Sequence, residues 1–150
     1  MNHIMDRTPR IVTIIGLVFE GISVVVMGFI AFLFKFYLNA DNESLVNLLT
    51  EDGASTADID FVFEIYGFIG NLLIGLAIVI GIFFIVNLVL FTKLIKGKYS
   101  EETAKKVYLY QAIYGGVNIL FNTFVGILYL ISGVMGRQGR RDEINVREGI

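Results

Sequence analysis

Residues 65–92 read IYGFIGNLLIGLAIVIGIFFIVNLVLFT, and none of these side chains is charged. As a helix rising about 1.5 Å per residue this stretch would be roughly 42 Å long, more than the roughly 30 Å apolar thickness of a bilayer. Its flanks carry opposite charge. Asp52, Asp58, Asp60 and Glu64 precede it, and Lys93, Lys96 and Lys98 follow it. Lysine is retained on the cytoplasmic side of a spanning helix, so the acidic end is expected outside.

The whole chain agrees with this reading. Its 150 residues are 55% hydrophobic and 17% charged, with a mean hydropathy of +0.72, more apolar than a soluble domain of this size. Residues 1–150 are therefore read as a single, all-α integral membrane domain. The absence of cysteine excludes a disulfide framework, cysteine zinc sites and thiol catalysis. The first apolar run follows Arg7 and Arg10 like a secretory signal, but it carries Glu20 and lacks a small-x-small cleavage site, so it is read as a retained span.

Outward from the central stretch, four spans are expected. Thr8 can cap the first helix with Pro9 in its first turn, and the arginines keep the N-terminus cytoplasmic. The span 9–36 ends at Lys35, Phe36 and Tyr37, which suit a headgroup region. The extracellular loop 37–60 is acidic. Leu45, Leu48 and Leu49 place a short amphipathic helix within 41–50; Gly53 ends it, and Ser55 with Asp58 forms a capping box that starts the central helix near Thr56. The central span is 61–92, followed by a cytoplasmic loop, 93–103, in which Gly97 stops one helix and Ser100 with Glu101 and Glu102 starts the next. The last apolar run, 107–136, reads in two ways. One tilted span would give three crossings and leave Arg137, Arg140, Arg141 and Arg147 outside. A hairpin turning near Asn122, with short spans 104–121 and 123–136, returns them to a cytoplasmic tail, 137–150.

Arg7-Thr8 before the first span, the small and acidic segment 55–60, and the ending 116–135, GVNILFNTFVGILYLISGVM, followed by basic residues, resemble an uncharacterised family of small, mostly four-span membrane proteins of Gram-positive bacteria, classed as a domain of unknown function. The resemblance covers nearly the whole chain. It implies a four-helix membrane fold with both ends inside, and brings no activity or catalytic residue with it. The longer lysine-rich connection and the mixed-charge tail after Arg141 depart from the family.

Glu20, about ten residues into the first span, is the most telling side chain, because an ionised carboxylate near mid-membrane costs several kcal/mol. It reads either as a hydrogen-bonded fastener between helices, against Asn71 or Asn118, or as a proton or cation site. Asn71 lies between Gly67 and Gly75 at steps of four; Gly21 with Gly28, and Gly126 with Gly133, form similar small-residue seams. These seams suit packing within the chain or self-association. Asn118 and Asn122 read as helix terminators, and the loop carboxylates as a solvated acidic surface rather than a calcium site. Lys93, Lys96, Lys98, Lys105 and Lys106 face anionic lipid and need no nucleic acid to explain them.

An enzyme is not expected. His3 is the one histidine and lies at the terminus, no aspartate falls inside a span, and no glycine loop precedes a Lys-Ser or Lys-Thr pair. No cofactor is expected either. The leading reading is a non-catalytic accessory or interaction protein of the cell membrane that binds a membrane partner or itself. Alternatives are a small oligomeric ion or proton transporter or channel using Glu20, and an immunity protein against a membrane-active peptide. In a chain without cysteine, single substitutions report topology cleanly: Asn39→Cys is expected to react with an impermeant thiol reagent added to intact cells, and Ile150→Cys only after lysis.

Overall fold

A computed structural model describes residues 2–40 and 42–147, with the side chains of 38–40 and 140–147 outside the description. The described residues form five helices: α1 Arg7–Ala40, α2 Asn42–Glu51, α3 Thr56–Ile95, α4 Glu101–Asn118 and α5 Thr123–Arg147. There are no strands among the described residues, only an isolated bridge between Asn2 and Ser100.

Local chemistry accounts for the boundaries. The Arg10 N–H donates to the Asp6 carbonyl at 3.1 Å, so α1 is capped at Asp6 rather than Thr8, two residues earlier than expected. Pro9 still falls in the first turn, where a missing N–H costs nothing. Gly53 and Gly97 have φ of +86° and +62°, and at each the glycine N–H and the next N–H bond back across the last turn, the Schellman ending that glycine enters without steric strain. The Asp58 N–H donates to Ser55 Oγ at 3.3 Å and the Ser55 N–H to Asp58 Oδ2 at 3.0 Å, which starts α3 at Thr56. Ser100 Oγ accepts from the Thr103 N–H and starts α4.

Residues 107–136 form two helices, not one. Between them the N–H groups of Phe121 and Asn122 bond to the Asn118 carbonyl, and Asn122 Oδ1 accepts from the Val125 N–H to start α5. Both asparagines thus work at the hairpin turn. Among the described residues two helices, Arg7–Tyr37 within α1 and α3, are long and apolar enough to cross a membrane, where four spans were expected. The apolar part of α4 after Lys106 is twelve residues and that of α5 up to Gly136 is fourteen, about 18 and 21 Å, short of the roughly 30 Å of a bilayer core. The expected tail begins as a continuation of α5; the side chains of Arg140, Arg141 and Arg147 lie outside the described residues.

The chain divides into two compact units, Met1–Ile22 with Phe83–Ile150, and Ser23–Ile82. The first contains the buried core of Met5, Leu17, Phe91, Leu94, Ala104, Val107, Tyr108, Val125 and Tyr129. Within it α4 and α5 pack at backbone distance. A Cβ on Gly115 would lie 2.7 Å from the Gly126 carbonyl oxygen, one on Gly126 2.7 Å from that of Gly115, and one on Gly133 2.7 Å from that of Tyr108. The second unit exposes most of its large apolar side chains, Phe29, Phe32, Phe68 and Ile78 among them. There α2 lies at an apolar groove of about 450 Å³ lined by residues of α1 and α3, among them Leu33, Phe34 and Tyr66, and by its own Leu45.

The glycines therefore separate into two classes. Gly133→Leu should cost about 1–3 kcal/mol or more, since backbone must move to admit it, whereas Gly28→Ala, with nothing within 4 Å of the new Cβ, should be neutral or stabilising by up to about 1 kcal/mol. Thermal unfolding in mild detergent, followed by helical circular dichroism, checks both.

Candidate functional site

The interior of the first unit is polar at two levels. Glu20, on α1, is 3% exposed. Its Oε1 accepts from the Tyr114 hydroxyl at 2.7 Å and from Asn87 Nδ2 at 2.8 Å, and its Oε2 from the Tyr129 hydroxyl at 2.5 Å. Tyr110 donates to Asn87 Oδ1 at 2.8 Å, which orients the amide with its NH2 toward the carboxyl. One carboxyl thus joins α1 to α3, α4 and α5.

The second level lies nearer the start of α1. Gln111 Nε2 donates to Thr13 Oγ1 at 2.9 Å, Thr13 and Ser132 hydroxyls are 2.6 Å apart, and Ser132 donates to the Pro9 carbonyl at 2.9 Å. Thr13, Gln111 and Ser132 are fully buried, and Gln111 Oε1 has no hydrogen-bond partner. An acceptor left so costs about 1–3 kcal/mol.

Helical spacing explains how these groups meet. Pro9, Thr13, Gly16 and Glu20 advance by four, three and four residues, which keeps them on one face of α1. Gln111 and Tyr114 on α4, and Tyr129 and Ser132 on α5, each stand one turn apart. At Gly16 a Cβ would come within 2.6 Å of Tyr129 Cε1, so the absent side chain is what lets that ring lie against α1 and its hydroxyl reach Glu20. Aromatic rings enclose the cluster: Phe91 meets Tyr129 edge-on at 5.0 Å, Tyr110 stacks with Tyr114 at 5.9 Å, and Phe83 lies 5.8 Å from Tyr114.

The candidate residues fall out unevenly. Glu20 is the centre of the cluster, but its amide partner is Asn87, not Asn71 or Asn118. Asn71 is exposed and accepts from Lys35 Nζ at 3.4 Å, while Asn118 stands at the hairpin turn, where its backbone carbonyl accepts from the Phe121 and Asn122 N–H groups. Asn71 follows Gly70 on a stretch of α3 that points its side chain away from any buried partner, and Asn118 is the last residue of α4. A Cβ on Gly21 would be 3.1 Å from the Phe84 ring, so Gly21, Gly126 and Gly133 serve packing within the chain; Gly28, Gly67 and Gly75 have nothing within 4 Å. Lys93, Lys96, Lys98, Lys105 and Lys106 are all exposed around the end of α3 and the start of α4. Lys106 bonds Glu102 at 2.9 Å, and that bond with its charge holds the Glu102 carboxyl below its ordinary value. His3, near the terminus, has its N–H on the Tyr99 carbonyl at 2.9 Å and its Nε2 2.9 Å from the Tyr108 hydroxyl.

Chemically the site is a carboxyl whose two oxygens already face O–H and N–H hydrogens. That arrangement suits a fastener or a proton acceptor better than a cation ligand, since a bound cation would have to displace those hydrogens. Among the described residues no group of three or more His, Asp or Glu is placed to hold a metal ion. The chain matches no family model, no curated protein and no solved structure.

Removing the carboxyl strands three donors, whereas removing the Tyr129 phenol leaves one acceptor, Glu20 Oε2, unmet. Glu20→Leu is therefore expected to cost well over the about 1–3 kcal/mol expected of Tyr129→Phe. The Glu20→Leu/Tyr129→Phe double variant should be no less stable than Glu20→Leu alone, measured by thermal unfolding in one detergent.

Proposed function

We propose that the protein is a multi-pass protein of the bacterial cell membrane that acts without catalysis, binding another membrane protein or a second copy of itself. Several observations support the membrane part of this reading. The most apolar windows of α1 and α3 have only 17% and 6% of their residues buried, whereas a core helix of a soluble protein would have most of them covered. Lipid is the solvent that makes such helices stable. The five exposed lysines gather at the α3–α4 connection, the end the positive-inside tendency assigns to the cytoplasm, and each contributes about 1 kcal/mol on anionic lipid. In this reading α4 and α5 complete a four-span bundle with both termini inside. Their short apolar stretches are accommodated by a locally thinner bilayer and by Lys105 and Lys106 reaching back to the headgroups.

The observation that carries the interaction part is the open side of the glycines in the second unit. Gly67 and Gly75 stand eight residues apart on α3 with the exposed Asn71 midway, and neither glycine has a neighbour within 4 Å of the Cβ position; the same holds at Gly28 on α1. Glycine inside a helix costs about 1 kcal/mol relative to alanine, and in the α4–α5 hairpin that cost is offset by close backbone packing. At Gly67 and Gly75 the chain itself supplies no such compensation. A helix of another protein, approaching closely and bonding Asn71, would.

A second reading has its own observation. A carboxyl enclosed at 3% exposure among three tyrosines and an amide is also a place to hold a proton, and it keeps open a proton-transport role through Glu20.

Gly67→Leu/Gly75→Leu is expected to leave the fold intact and abolish co-purification of partner or second copy in mild detergent, scored by native mass spectrometry. Wild-type protein that runs only as a lipid-bearing monomer would remove the interaction reading. For the second reading, Glu20→Gln should abolish proton flux in reconstituted vesicles; flux equal in wild type, variant and empty vesicles would remove it.

A further inference from the structure

The two polar levels of the first unit are built alike. At the upper one Glu20 of α1 is met by Tyr114 of α4 and Tyr129 of α5; at the lower one Thr13 of α1 is met by Gln111 of α4 and Ser132 of α5. On α4 and on α5 the levels are a single turn apart, and on α1 they are two turns apart, with Gly16 between them covered by the Tyr129 ring.

Ser132 uses its one hydrogen on the Pro9 carbonyl, so the 2.6 Å bond between hydroxyls is donated by Thr13, which in turn accepts from Gln111 Nε2. The order runs Gln111 to Thr13 to Ser132 to Pro9, and it begins at a fully buried acceptor, Gln111 Oε1, that no donor meets. A buried amide oxygen among hydroxyls is ordinarily satisfied by an internal water, which holds several such groups at once.

We propose that Gln111 Oε1 binds a water molecule that links the Thr13–Ser132 hydroxyl pair to the tyrosines of the upper level, making a proton-exchange route between the start of α1 and Glu20. The inference rests on the second reading above, a proton-accepting Glu20, and is independent of the interaction reading. In one passage the two hydroxyls first turn so that Ser132 donates to Thr13 and Thr13 to the water; Ser132 then takes a proton from solvent, and each hydroxyl accepts one proton and releases its own inward. The water passes a proton to a tyrosine hydroxyl, whose own proton goes to the Glu20 carboxylate. The net change is one proton taken from solvent and one carboxylate converted to the acid; the transfer leaves Thr13 donating to Ser132 and Ser132 to Pro9, as observed, and the tyrosine hydroxyl and the water then turn back. Gln111 keeps its amide protons throughout and is a positioning residue. The groups facing Glu20 are Asn87 of α3, Tyr114 of α4 and Tyr129 of α5, with Tyr110 behind Asn87.

The test is infrared difference spectroscopy of the full chain in lipid nanodiscs during transfer from H2O to D2O, with Glu20→Gln used to assign the carboxyl band. Wild type should show an exchangeable Glu20 carboxylic acid. Gln111→Leu, which removes the water's anchor without leaving a buried amide unpaired, should slow that exchange by about tenfold or more while helicity and thermal midpoint stay near wild type. Ser132→Ala serves as a second interruption should Gln111→Leu fail to fold. Exchange as fast as wild type in the folded variants would overturn the route while leaving a proton-accepting Glu20 standing. A wild-type protein with no exchangeable Glu20 band across the pH range it tolerates would overturn both.

Discussion

The acceptance of three hydrogen bonds by Glu20 is the constraint on which the first unit depends. A carboxyl withdrawn from water loses several kcal/mol of solvation and regains it only through well-placed donors. Here the donors come from three different helices, Asn87 on α3, Tyr114 on α4 and Tyr129 on α5. None of these helices can move away from α1 without stranding the carboxyl or a buried donor. Apolar packing alone, being without direction, would leave the helices free to slide against one another. The carboxyl sets their register.

Small residues make that register reachable. Tyr129 gets its hydroxyl to Glu20 because Gly16 leaves room for the ring, and α5 lies close enough to α4 because Gly115, Gly126 and Gly133 let the backbones meet. The polar interior and the glycine contacts are two parts of one arrangement. The N-terminal segment closes the same unit from the end where α1 begins: Met5 is buried, the His3 N–H is held by Tyr99, and the His3 ring meets Tyr108 edge-on at 5.5 Å.

The second unit follows a different logic. Its buried hydrophobic side chains include Ala31 and Ile59, while its glycines at 28, 67 and 75 are open and its polar pair, Lys35 with Asn71, is exposed. Where the first unit spends its small and polar residues on itself, the second keeps them on its surface.

Much of this was readable from residue order alone. Helix boundaries at Gly53, Ser55, Gly97, Ser100 and Asn122 follow from the chemistry of a few adjacent residues, and local chemistry is what a sequence displays directly. The apolar length of α1 and α3 and the importance of Glu20 were equally legible, because a charge inside a long uncharged run stands out without any knowledge of its neighbours. The partners of Glu20 were not. Asn71 and Asn118 looked as eligible as Asn87, and Tyr110, Tyr114 and Tyr129 looked like ordinary aromatic residues. Which amide faces the carboxyl depends on the rotation of α3 about its axis, and which phenols reach it depends on how closely α5 sits on α4. Likewise the glycine seams at 67–75 and 126–133, spaced by eight and seven residues, look alike on paper. Only three-dimensional packing separates the filled one from the open one, because occupancy is a property of the neighbouring helix and is written nowhere in the helix that bears the glycines.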